Sequence, residues 1–354
     1  MRPDCRLRSA ALVLAACAVP VLLGACVASA ATRDGNGGAS ASPGVAGSAT
    51  AGADTRAGAN AIAKAVEVAP GVYMVQGAPG EPDTDNLGRI GNAGFIVGET
   101  GVVAIDTGTS YRHGEALLAQ IRRVTDKPIR VALITHTRQE FLFGALAYRE
   151  QGIPIQMHRQ AAMLMRSRCE KCLKTLNQIL GADAMQGTAM YAPDQQFEQA
   201  QTLDLIGRPL QLLYYGHSAG PGDVAVLDAR TGVLFAGGLL DQTRIPDVQD
   251  SDLAGWSAAL RALHQLPIRA VVPGHGPLAS PQVIAAVERY LAQLQDRVQQ
   301  LLHAGAALSE VPDAVALPEF KGWDQYDTIH RRNASILFVR LEREQMFRRA
   351  GAPE

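Results

Sequence analysis

The sequence predicts an α/β fold of the α+β kind, two mixed β-sheets packed face to face with helices outside. Three observations predict it. Short strand signals rich in Val, Ile and Leu alternate with amphipathic helix signals through residues 63–303. Hairpins occur beside strand–helix–strand units, so antiparallel and parallel pairing are both required. Loops carrying His, Asp and Gly follow several strands, and such a fold places its site on loops gathered at one sheet end.

The elements follow in order. Val66–Val68 and Val72–Val75 read as strands, and Ala93–Val97 with Val102–Ile105 as a hairpin around Glu99-Thr100-Gly101. Residues 111–124 have helical spacing, with Leu117, Leu118 and Ile121 on one face. Ile129–Thr135 is a buried strand that delivers His136 at its carboxyl end. Phe141–Gln151 is expected as one short helix, Ile155–Met157 as a strand, and residues 159–181 as a helix. Leu210–Tyr215, Val224–Asp228 and Val233–Phe235 give a second set of strands. Leu253, Trp256, Leu260 and Leu263 mark a helix capped by Ser251 or Asp252. Ile268–Val272 is the last strand. Residues 281–302 form a long helix with Val283, Val287, Leu291, Leu294, Val298 and Leu301 inward. The segment 304–354 is expected as an extension beyond the core, ending in a helix over Ile336–Arg348.

A net charge of −1 with 47% hydrophobic residues points neither to nucleic acid nor to a disordered chain. Residues 1–30 read as a signal peptide: Arg2, Arg6 and Arg8 precede an apolar run from Ala10 to Leu23 that is too short to span a membrane. Leu23-Gly24-Ala25-Cys26 has the form of a bacterial lipobox, with Cys26 as the lipidated residue. Ala28-Ser29-Ala30 offers a competing cleavage site. Residues 31–62, rich in Ala, Gly, Ser and Thr, read as a flexible linker. Export to the periplasm, with membrane contact only through a lipid anchor, is the expectation. After removal of the signal, Cys169 and Cys172 remain, and in an oxidising compartment a local disulfide is the safer reading of this Cys-x-x-Cys pair. A redox role lacks a thioredoxin-like strand-to-helix context, and half a zinc ribbon lacks its second Cys pair. The pair is expected outside the His cleft.

Five segments carry the functional signal. They are Val102-Val103-Ala104-Ile105-Asp106-Thr107-Gly108; Thr135-His136-Thr137-Arg138-Gln139-Glu140-Phe141 with Gly144; Gly216-His217-Ser218-Ala219-Gly220-Pro221-Gly222-Asp223; Phe235-Ala236-Gly237-Gly238; and Val272-Pro273-Gly274-His275-Gly276. In this order the chain resembles the metallo-β-lactamase superfamily, whose loop reads Thr-His-x-His-x-Asp-His-x-x-Gly. The resemblance implies an αββα sandwich and a metal-dependent hydrolase. The match is degenerate: Arg138 stands for the second His, Glu140 for the Asp, Phe141 for the third His, and Gly238 for the metal-bridging Asp. Leu317–Tyr326, Ile329–Asn333, the Cys-Glu-Lys-Cys helix and Arg244-Ile245-Pro246-Asp247 further resemble the quinoprotein relay system zinc metallohydrolases, exported proteins linked to PQQ- or quinone-dependent dehydrogenases.

The resemblance makes His136, Glu140, His217 and His275 the candidate metal ligands, holding at most one zinc ion and converging on one cleft. Asp106 is expected to accept a hydrogen bond from a metal-bound His. Arg138 repels a divalent ion, and is expected to pair with Glu140 and, with Phe141, to fill the emptied metal pocket. Asp241 is read as a loop residue able to swing inward. His113, His158, His264 and His303 are read as surface or core residues, and no Ser-His-Asp triad is legible. Two functions follow. One is a weakly active or non-catalytic protein whose pocket binds a small molecule, or a periplasmic quinoprotein dehydrogenase. The other is a mononuclear zinc hydrolase acting on an ester, lactone, thioester or amide.

Overall fold

Alternation along the central strands decides the architecture, because residues on a strand face opposite sides in turn. The computed structural model of the chain describes residues 62–350, with side chains to 348. The signal segment, Cys26 and all but the last residue of the linker lie outside the described residues. Strand β1 (Val66–Ala69) pairs with β2 (Val72–Val75), β2 with β3 (Ala93–Val97) and β3 with β4 (Val102–Ile105), all antiparallel. Helix α1 (Tyr111–Val124), N-capped by the Ser110 side chain, crosses to β5 (Ile129–Ile134). From there β4, β5, β6 (Ile155–His158) and β7 (Gln195–Phe197) run parallel, completing a seven-stranded sheet in chain order. The second sheet, in the order β12-β11-β10-β9-β8, contains β8 (Gln201–Leu203), β9 (Leu210–Tyr214), β10 (Val224–Asp228), β11 (Val233–Phe235) and β12 (Ala270–Val272). Only its β11–β12 pair is parallel.

Val103, Ile105, Val131 and Leu133 from the first sheet meet Leu210, Leu212, Val224 and Val226 from the second in a buried layer between the sheets. The intervening residues Ala104, Ala132 and Ile134 face outward onto α1, α3 (Ala145–Glu150) and α4 (Arg159–Ala184). On the other side Ala225, Leu227 and Leu234 pack under α5 (Leu253–Leu263) and α6 (Gln282–His303). The result is the αββα arrangement expected from the sequence. Asp252 is the cap of α5, its Oδ1 accepting from Gly255 N at 2.8 Å.

Three elements differ from the expectation. The single helix Phe141–Gln151 is two, α2 (Gln139–Leu142) and α3, broken at Phe143–Gly144. Gly144 lies so close to Thr107 O and the Gly114 backbone that no side chain fits between them. Strands β7 and β8 were not legible, because Gln195-Gln196 and Gln201-Thr202 are exposed edge positions without an apolar alternation. The segment after α6 is not an appendage. Through α7 (Val311–Ala314) and α8 (Arg331–Ala350), Val311, Leu317, Phe320, Ile329 and Phe338 join the same buried cluster as α5 and α6.

Candidate functional site

Consecutive strand ends build the site. β5 ends at Ile134 and hands over Thr135 and His136, after which Arg138 precedes α2 and its Glu140 and Phe141. β11 ends in the turn at Gly237–Gly238, and the loop after β12 carries His275. Asp223 sits just before β10 at the same end.

His136 is buried, and its Nδ1 lies 2.7 Å from Thr135 Oγ1. That hydroxyl donates to the Asp106 carboxylate at 2.9 Å, and Thr135 N donates to it at 2.9 Å. Where Asp106 is ionised it holds the hydroxyl proton, so that Nδ1–H is the donor and Nε2 keeps its lone pair. Nε2 is buried without a hydrogen-bond partner. Asp106 thus reaches His136 through Thr135 and not directly. Burial pushes Asp106 up to about 7 against the Thr135 hydrogen bonds, and burial pushes Asp223 up to about 7 as well. Burial, with the charge of Arg138, holds His136 well below the usual imidazole range.

His275 is arranged differently. Its Nδ1 lies 2.8 Å from Asp241 Oδ1 and its Nε2 3.0 Å from Glu140 Oε1. Burial alone would lower its pKa, but the two carboxylates outweigh burial and raise it. Glu140 is likewise lowered to about 2, since its His275 bond and the charges of His275 and Arg138 outweigh burial. Each ring nitrogen of His275 thus faces a carboxylate oxygen, and neither is left open toward a metal ion. Asp241, a loop residue read as able to swing inward, is buried here and clamps His275.

Arg138 does not pair with Glu140. Its Nη1 donates to Asp247 Oδ2 at 2.9 Å and its Nη2 to Asp247 O at 3.1 Å, while Arg332 Nη2 donates to the same Oδ2 at 2.6 Å. The reason is that Glu140 is already committed to His275, whereas Asp247 is buried and faces both guanidinium groups. Asp247 is held down at about 2, because Arg138 and Arg332 outweigh burial. His217 is exposed, and its Nε2–H donates to Asp250 O at 2.6 Å, so it does not join His136 and His275.

The superfamily typically binds zinc, but the residues present here do not fit it. The Phe141 ring stands against both histidines, its centroid 4.2 Å from that of His136 and 5.2 Å from that of His275. Gly91 makes room for the ring, since a Cβ there would lie 2.6 Å from Phe141 Cζ. His275 has both nitrogens against carboxylates, His217 is turned away, and Arg138 brings a permanent cation. Among the described residues no group of three His, Cys, Asp or Glu side chains is placed to hold a metal ion. Only His136 keeps the protonation pattern of a ligand.

Cys169 and Cys172 are free thiols, not a disulfide. They occupy positions one turn apart on α4, which is interrupted at Gly181 but regular around the pair, and the regular turn keeps the two Cβ atoms at about 5–6 Å, beyond the roughly 3.8 Å a disulfide prefers. None of His136, His217 and His275 lines the cavity beside them, but Arg138 and Glu140 do. Both thiols line that cavity, of about 250 Å³, together with Arg138, Glu140, Asp247 and Arg332. Sequence reasoning missed this because nothing in α4 shows which face turns toward α2. It missed Asp247 and Arg332 because their pairing spans 85 residues of chain. Of the other histidines, His113 is buried and accepts from Thr109 N, and His264 forms a surface pair with Glu288.

Comparison with known proteins places the chain in one superfamily. The family model of the metallo-beta-lactamase superfamily matches residues 87–275, and the chain belongs to that superfamily. A linear primary-alkylsulfatase of Pseudomonas sp. is 23% identical over 262 residues, covering 63% of this chain and 49% of the relative. The metallo-beta-lactamase type 2 of Bacteroides fragilis is 29% identical over 106 residues, covering 28% of this chain and 43% of the relative. The chain thus spans about half the length of the curated relatives it matches. Among solved structures, a metallo-beta-lactamase from Pontibacter korlensis superposes with a TM-score of 0.53 at 22% identity, covering 65% of this chain and 98% of that one. The DIM-1 metallo-beta-lactamase superposes at 0.52 with 15% identity, again over 65% of this chain and 98% of the other. These superpositions speak for the fold.

Proposed function

We propose that this chain is an exported, non-hydrolytic member of the superfamily that binds a small carboxylate-bearing ligand of the quinone class, in a quinoprotein-linked system. One observation carries the reading. The side chains that replace the metal ligands form a closed set of contacts of their own: Phe141 against His136 and His275, Glu140 on His275, and Arg138 on Asp247. The ligand class follows from charge. Arg138 and Arg332 stand at the cavity wall around one shared carboxylate, and planar guanidinium groups recognise carboxylates bidentately. The resemblance of the C-terminal segment to the quinoprotein relay branch supplies the quinone. The hydrolases among the relatives support the alternative, a mononuclear zinc hydrolase, and so does the lone pair of His136 Nε2.

The test has two parts on the same purified chain. Loaded with zinc and dialysed, it should retain well under one ion per chain, and it should not hydrolyse β-lactams, alkyl sulfates, esters or lactones. Titrated with PQQ, it should bind, and Arg138→Ala should weaken binding by roughly tenfold or more, the value of one lost charge-assisted contact. One tightly held zinc with hydrolysis that disappears in His136→Ala would establish the mononuclear hydrolase instead. Restoring ligands with Arg138→His, Glu140→Asp and Phe141→His should raise zinc retention, because Glu140→Asp also releases His275 Nε2. Adding Gly238→Asp should not help, since its Cβ would run into Asp223 Oδ2 and lie 3.0 Å from His136 Cδ2.

A further inference from the structure

We propose that Cys169 and Cys172 form a thiol–disulfide exchange pair, acting on small disulfides that enter the cavity beside α2. The inference is independent of the ligand reading above, since it uses different side chains and a different chemistry. Two free thiols on one helix face open into the same cavity, and they differ in access. Cys169 is 2% exposed and packs into the core under the first sheet, whereas Cys172 is half-buried at the cavity wall.

Helix geometry makes the bond between them reactive and not structural. Closing it requires the turn to tighten or open, because side chains three residues apart on a regular helix stand farther apart than a relaxed disulfide allows. A strained disulfide is readily reduced, and a closed loop this short removes little entropy from the unfolded chain. The bond therefore adds little stability and breaks easily, as an exchanging pair needs.

The access of the two sulfurs assigns their roles. The Cys172 thiolate attacks one sulfur of the incoming disulfide, forming a mixed disulfide and expelling one thiolate, which takes up a proton. Cys169 then loses its proton and attacks Cys172 Sγ, expelling the second thiolate, which is protonated in turn. Two thiols of the protein become one disulfide, and one substrate disulfide becomes two thiols. The hydrogen bond from Cys169 lowers Cys172 to about 7 against burial, and the same bond together with burial pushes Cys169 up, which agrees with this order. The Cys172 S–H otherwise leans on Arg168 O at 3.7 Å, within its own helix, so no distant contact has to break.

The experiment uses the full chain with a chelator present. It is equilibrated in glutathione buffers of varying reduced-to-oxidised ratio, quenched with an alkylating agent and weighed by mass spectrometry. In the peptide that carries Cys169 and Cys172, read apart from Cys5, Cys17 and Cys26, the wild type should pass reversibly from two alkylated thiols to none, with its midpoint inside the range of these buffers. With Cys169→Ser, one glutathione should remain as a stable mixed disulfide. With Cys172→Ser, adduct formation should be at least tenfold slower, because the remaining sulfur is buried. Three results overturn the proposal: thiols that stay reduced at every ratio, a bond that no ratio reduces, or faster adduct formation on Cys169 than on Cys172. The wild-type titration decides even where a variant folds poorly.

Discussion

Asp247 is one carboxylate serving two guanidinium groups. It is 8% exposed, receives Arg138 at 2.9 Å and Arg332 at 2.6 Å, and accepts from Gln249 N at 2.9 Å. Its folded pKa, about 2, lies below the ordinary carboxylate value, so its contribution to stability is complete above about pH 4 and is lost as the pH falls through about 2. The depression corresponds to about 2 kcal/mol. Asp247→Asn should cost about that much at neutral pH, at the lower end for a broken ion pair because Arg332 stays partly in water. The difference between wild type and variant, followed by urea unfolding, should shrink toward zero as the pH is lowered. A constant difference would mean that Asp247 acts through shape and not charge. Little of this residue-scale pattern was legible in the sequence. Motif positions identified His136, Glu140 and His275 as neighbours on one loop set, but each took its partner from a chemistry that the motif does not encode. Glu140 found a cation in His275 before it could find one in Arg138, and Asp241 was free to supply the second carboxylate once no metal competed for the imidazole.

At the scale of elements, α8 supplies more of the site than its late place in the chain suggests. Asn333 is fully buried, and its side chain replaces a strand edge for the segment Pro246–Val248. Nδ2 donates to Pro246 O at 2.7 Å and to Tyr290 Oη at 3.0 Å, and Oδ1 accepts from Val248 N at 3.1 Å. His330, one turn earlier, is buried between Tyr290 Oη and Val315 O. Asn333→Ala would leave three buried polar groups short of a partner, at a cost of about 2–3 kcal/mol. Since Asp247 lies in the same segment, the variant should also loosen Arg138 and weaken PQQ binding. Loss of stability with unchanged binding would separate the two. The strands with a strong apolar pattern, β2 to β5 and β10 to β11, were legible almost to the residue, because their patterns follow directly from burial on both faces. The C-terminal segment was not, because its apolar residues are spaced irregularly across short turns, and only the tertiary structure shows that they share one face of the core.

For the whole molecule, the site and the fastening of the two sheets lie at opposite ends of the strands. Asp223 precedes β10 at the site end, and Asp228 closes the same strand at the far end. There Arg208, 3% exposed, donates to Asp228 through Nε at 2.9 Å and Nη2 at 2.6 Å, while its Nη1 donates to Pro70 O and Val97 O, both at 3.0 Å. One side chain thus joins the first turn of one sheet to a central strand of the other. Thr231 Oγ1 also donates to Asp228, so the carboxylate has several donors, and its pKa is lowered because Arg208 and Thr231 outweigh burial. Removing either partner strands a buried charge, so Arg208→Met and Asp228→Leu should each cost about 3–5 kcal/mol. The double variant should lose less than the sum of the two, with a coupling of at least about 1 kcal/mol, since an uncharged pair leaves no charge unmatched. It should not recover fully, because Pro70 O and Val97 O lose their donor in both variants that lack Arg208. The glutathione midpoint of Cys169 and Cys172 should be the same in all four proteins, measured well below their unfolding transitions, because the pair sits at the other end of the strands. A midpoint that moves with Arg208 would show that the packing of one sheet on the other sets the reactivity of the thiols; a midpoint that stays still would make the sandwich a frame on which site residues have been exchanged without cost to its closure.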